Sequence, residues 1–100
     1  MRVVLFAVCL GLAGAAAAGD RATERYAPDQ LQMAEQSLQW AREAALRGDA
    51  SLVGTLAWQA SVDARLAWAM SDSAMVRGPA VRIYDEANRL VHRAAQGNLP

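Results

Sequence analysis

The chain has no lysine, one cysteine and one histidine in 100 residues, and only three prolines. Cys9 stands within an apolar run near the start, so the rest of the chain has no thiol for disulfides, thiolate metal sites or cysteine nucleophiles. With His92 alone and no carboxylates at ligand spacing, a zinc site is not expected. Ten arginines balance ten acids and alternate with them along the chain, which excludes the basic field of a nucleic-acid binder. There is no glycine-rich phosphate loop. No apolar run reaches the ~20 residues that a membrane-spanning helix needs.

What is present begins with a three-part leader. Met1-Arg2 gives a positive start, Val3 to Leu12 an apolar core, and AGAAAAGD a small-x-small cleavage site at Ala16-x-Ala18. Residues 1–18 are therefore expected to be a signal peptide removed on export. The alternative is an uncleaved segment that holds the protein at the envelope. Phe-Ala-Val before Cys9 lacks the small residue that lipoprotein processing requires, so no lipid anchor is expected there.

Past the leader, 19–27 (GDRATERYA) is polar without a clear period and reads as a flexible linker. Pro28 and Asp29 suit the first turn of a helix. Leu31, Ala34, Leu38, Ala41 and Ala45 then recur at spacings of three and four until Gly48-Asp49, where Asp49 can cap the next helix. A second helix over about 50–75 is the most apolar. Leu52, Leu56, Leu66 and Met70 form one seam, with Val53, Ala57, Ala60, Ala64, Ala67 and Ala74 beside it. Gly78-Pro79 reads as a break before a third helix carrying Ala80, Ile83, Ala87, Leu90 and Ala94, and 98–100 as a frayed tail. The expected fold is all-α, an up-down-up antiparallel three-helix arrangement over 28–97. The alternative is a long helical hairpin whose third helix packs on a partner.

YAPDQLQMAEQSLQWAREAALRGD followed by LAWQASVDARLAWAM, residues 26–70, resembles a bacterial envelope family known as domain of unknown function 4398. The resemblance rests on the Tyr-Ala-Pro start, the Leu and Ala spacing, the Gly-Asp turn and the run Leu-Ala-x-x-Ala-x-x-Asp-Ala-x-Leu-Ala. It implies an exported helical protein of the Gram-negative cell envelope with no assigned activity. Some members of that family look like lipoproteins or carry a peptidoglycan-binding domain, and neither feature is read in this sequence.

Asp63 falls within about 20° of Leu52, Leu56 and Met70 on the helical wheel, so it is expected to face the core and to need a donor there. Antiparallel pairing about Gly78-Pro79 places it level with 90–93. The expected partner is Arg93, with Arg89 as the substitute, in a structural ion pair whose loss on Asp63→Ala would cost about 3 kcal/mol. No second carboxylate or histidine shares that seam, the adjacent Asp85-Glu86 point to different faces, and no serine has a histidine at a useful offset. No catalytic residue, metal or cofactor is expected.

Trp58 and Trp68 lie about 80° apart on the side away from Asp63, with Ser61 and Arg65 between them. Either a neighbouring helix or Arg65 covers their rings, or they form a surface for a partner. Trp40, with Met33, Ser37 and Ala44 off the first helix's seam, would extend that surface. The sequence thus leads to a small exported, periplasmic, non-enzymatic protein acting as a structural or protein-interaction module, through a protein partner or self-association. A bundle that binds a small apolar ligand is the remaining class.

Overall fold

The computed structural model of the protein describes residues 4–99, with side chains described from Thr23 onward. Three helices, α1 (Val4–Leu46), α2 (Ala50–Met70) and α3 (Ala74–Ala95), run up, down and up. Helix α2 packs extensively on both neighbours, whereas α1 and α3 meet only sparsely. The packed helices occupy 45 × 31 × 17 Å, a flattened arrangement with α2 in the middle. The all-α three-helix expectation is met.

The turn between α1 and α2 follows the sequence signals. Gly48 takes φ +72°, and its N–H bonds to the Ala45 carbonyl while that of Asp49 reaches back to Ala44. This double closure is the usual glycine-dependent helix ending. Asp49 then caps α2, its carboxylate accepting from the Leu52 N–H at 3.1 Å. One residue thus closes one helix and opens the next. The same ending recurs after α3, where Gly97 (φ +69°) bonds to Ala94 and Asn98 to Arg93. Leu99 packs against the core, so residues 98–99, expected to fray, are held.

Three boundaries differ from the sequence reading. Residues 19–27 are not a linker but part of α1, which therefore runs through Pro28. Local pattern did not predict this because the stabilisation is tertiary. Ala27 is fully buried with Ala67, Val76 and Ala80, and Glu24 accepts a hydrogen bond from the Ser71 hydroxyl at 3.0 Å. The expected leader, its cleavage site and Cys9 lie outside the residues whose side chains are described.

The second and third differences share one cause. Helix α2 stops at Met70, and α3 starts at Ala74, so the turn is Ser71-Asp72-Ser73 and not Gly78-Pro79. Ser73 caps α3 by accepting from the Met75 N–H, and Ser71 accepts from the Ser73 N–H. The Arg77 Nε–H donates to the carbonyls of Trp68 and Ser71, satisfying acceptors that the end of α2 leaves open. Gly78 and Pro79 sit inside α3, where Pro79 leaves the Met75 carbonyl without its helical donor.

The core is made of small side chains. Among the described residues, eleven of the sixteen buried apolar ones are alanine, and the largest fully buried side chain is Val53. On α2 the buried centre is the stripe Val53, Ala57, Ala60, Ala64 and Ala67, while Leu52 and Leu66 are exposed and Leu56 is only partly covered. Methyl groups allow helix backbones to approach more closely than larger side chains would. Each such burial contributes little area, so fit rather than bulk decides stability.

Size substitutions should therefore act in reverse of the usual order. Ala60→Leu, which adds bulk where no space exists, should lower stability by about 1–3 kcal/mol. Leu66→Ala on the open face of α2 should change it by under about 0.5 kcal/mol. Urea unfolding of the two variants checks this, and a larger loss for Leu66→Ala would contradict the small-residue core.

Candidate functional site

Asp63 is buried, with 4% of its surface exposed, but its partners are not those expected. Its Oδ1 accepts from the Gln30 amide of α1 at 3.0 Å and from the Gln59 amide one turn earlier on α2 at 3.1 Å. Arg93 and Arg89 are exposed and make no ion pair with it. The reason is register. With the turn centred on Asp72, Asp63 lies level with about Val81, some twelve residues or about 18 Å of helix from Arg93. It also sits on the flank of α2 that faces α1, as the Gln30 bond requires. Two neutral amides replace the cation.

Among the described residues, the ion pair that ties α3 to another helix is Arg42–Glu86. Nε and the terminal nitrogen of Arg42 each reach a Glu86 oxygen at 2.7 Å, a two-pronged contact between α1 and α3. Hydrogen bonding to Arg42 holds the Glu86 carboxyl below its usual range, despite partial burial that acts the other way, and raises Arg42 in turn. The pair lies in a polar groove of about 520 Å³ between α1 and α3, with Glu35, Arg82 and three glutamines on its walls and Leu38 and Ile83 at its floor.

The tryptophans are about half exposed. Trp58 is 58% exposed, Trp40 50% and Trp68 43%. Arg65 does not lie across their rings. Instead the Arg77 guanidinium stacks 3.7 Å from the centre of the Trp68 ring while it caps α2 and pairs with Asp72 at 3.2 Å. Ser61, which shares the wheel position between the tryptophans, is buried, its hydroxyl bonded to the Trp58 carbonyl at 2.7 Å. Trp58 and Arg65 are two turns apart on one exposed face of α2. Trp68 forms one wall of a second groove, of about 420 Å³, between α2 and α3, with Arg65, Val81 and Tyr84. Neither Trp40, which belongs to α1, nor Trp58 lines that groove.

The solvent side of α2 thus carries Leu52, Trp58, Leu66, Trp68 and Ala69 with a single charge, Arg65. The outer faces of α1 and α3 mix charged residues with exposed apolar ones, Met33 and Trp40 on α1 and Met75 and Val81 on α3. Sequence reasoning missed Gln30, Arg77, Tyr84 and Val81. Gln59 was missed too, although it lies one turn before Asp63; Gln30 reaches Asp63 from α1, and only Arg77, Tyr84 and Val81 depend on the true position of the second turn. Among the described residues no cluster of three or more metal-ligating side chains occurs, and no helix is long and apolar enough to cross a membrane.

Two outcomes follow from these contacts. Asp63→Ala leaves two amides without an acceptor and should lower stability by about 1–2 kcal/mol, while Arg93→Ala should change it by under about 0.5 kcal/mol. Double-mutant cycles in urea should couple Asp63 to Gln30 and not to Arg93. Because the folded state depresses the Glu86 carboxyl, its contribution is present above the ordinary glutamate range and fades as pH falls through the depressed value. Solvent screening of this half-exposed pair keeps it under about 1 kcal/mol. Glu86→Gln should accordingly flatten part of the acid limb of the stability–pH curve and leave the region above pH 7 with only a small, constant loss.

Comparison with curated proteins and with solved structures finds no match for the chain. A family model, Domain of unknown function (DUF4398), matches residues 12–78, a span that covers most of α1, all of α2 and the turn with its Arg77 cap. By that match the chain belongs to the domain of unknown function 4398 family.

Proposed function

We propose that the protein is a non-enzymatic helical module of the bacterial cell envelope, exported to the periplasm, that works by contact with another protein. The observation that carries this reading is the open side of α2. Helix α2 packs on both neighbours, and the side it leaves open still carries Leu52, Trp58, Leu66 and Trp68 in water. Exposed tryptophans grouped with an arginine are the composition of a binding hot spot. The leader pattern at residues 1–18 supports export, and the envelope setting implied by the resemblance read in the sequence agrees with it.

A second reading, attachment through an uncleaved leader, is favoured by one specific observation: α1 continues through the expected cleavage region without a linker. Fractionation separates the two. A mature protein of mass beginning near Gly19 in the soluble periplasm supports the released form, and a full-length chain in the membrane fraction supports the attached one.

The interaction itself is tested by crosslinking in the intact envelope, with wild type set against Trp58→Ala/Trp68→Ala. Loss of a specific crosslinked protein in the folded variant is the expected result. Identical captures would sink the interaction reading and leave both tryptophans structural.

A further inference from the structure

The groove between α2 and α3 is chemically one-sided. Its floor is Ala64 and Ala80, its walls Trp68, Val81 and Tyr84, and Arg65 is its one ionisable cation. Arg65 makes no ion pair or hydrogen bond within the described residues, and neither the Trp68 indole N–H nor the Tyr84 hydroxyl has a hydrogen-bond partner there. The nearest acid in sequence, Asp63, is buried on the opposite flank of α2 with its glutamine donors. The α1–α3 groove contrasts with it, because there Arg42 and Glu86 already answer each other.

We propose that the α2–α3 groove seats an acidic amphipathic helix of a partner protein, its apolar side chains entering between Trp68 and Tyr84 and its carboxylate meeting Arg65. This rests on the interaction reading above and names the partner's chemistry. A trough between two helices with an alanine floor accepts the side-chain ridge of a third helix, which is how amphipathic helices dock. An unpaired guanidinium at the rim of an apolar trough selects a carboxylate, and does so with two parallel hydrogen bonds. Anionic lipid would need several cations on one face. Here Arg77 is already paired with Asp72, and Asp85 adjoins Tyr84. A second copy of the chain would bring another α2 face with an arginine and no acid to answer it.

The test is a selection of displayed helical peptides of about 18 residues, five turns, randomised at apolar and flanking positions, against the full chain. Enriched peptides should carry apolar residues at three-four spacing and an Asp or Glu beside them. Arg65→Glu, with its helicity checked by circular dichroism, should weaken them about tenfold or more, and exchanging the peptide's acid for Arg should restore binding to that variant. Val81→Asp should abolish binding. No enrichment, enriched peptides without an acid, or indifference to Arg65→Glu overturns the proposal. Trp68-dependent binding to phosphatidylglycerol-containing vesicles without peptide binding would reassign the groove to lipid. A dimer in light scattering that Val81→Asp disperses would reassign it to a second copy. If envelope crosslinks still require Trp58 and Trp68 while peptides ignore Arg65, the interaction reading stands and only the acidic helix falls. Loss of both removes both.

Discussion

Close approach of alanine-lined helices is the constraint on which the rest of this molecule depends. Ala34, Ala41 and Ala44 of α1 and Ala57, Ala60 and Ala64 of α2 are buried to the last exposed atom. Backbones so near one another leave no interior volume for large side chains. Trp40, Trp58, Trp68, Met33 and Leu66 must therefore lie outside, although each would be stabilised by leaving water. The open aromatic face and the compact interior have a single origin in the size of the core residues.

A second consequence of the small core is that polar contacts at the ends of the helices matter more than in a domain with a bulky interior. The Ser71-Asp72-Ser73 turn is the densest example. Ser71 is buried and links Glu24 of α1 to the start of α3, and Arg77 closes α2 while stacking on Trp68. Backbone acceptors, an aromatic face and an aspartate all meet one guanidinium, a geometry that lysine could not reproduce. This cluster fixes where α3 begins, and so decides which residues of α3 stand beside Trp68.

Much of this was legible in the sequence, and the failures have identifiable physics. Gly48-Asp49 worked as a signal because a positive φ and a cap are local requirements, met by those two residues alone. The helix count and the alanine stripe followed from spacing. Gly78-Pro79 misled because proline is usually excluded from a helix interior, and here tertiary packing of Val76 and Ala80 outweighs the lost hydrogen bond. That one boundary shifted the α2–α3 register by about twelve residues. It gave Asp63 the wrong partner, although its burial was read correctly. Exposure of the tryptophans was open from the wheel alone, since covering by a neighbouring helix or Arg65 and an open partner surface both fitted the same positions. Residues 19–27 had no readable period because their helical state depends on Ala27 and Glu24 reaching residues more than forty positions away.

The continuity of α1 has a mechanical meaning. A flexible joint between residue 19 and the bundle would let the domain swivel freely. An unbroken helix instead couples angle to length, at about 100° and 1.5 Å for every residue. The azimuth at which the aromatic face is presented is thus phased by the number of residues before Ala27. Inserting a single residue there would swing that face by more than a quarter of a turn, while inserting a whole seven would nearly return it. For anything that holds the early part of α1, residue count in this segment is a setting of orientation as well as of reach.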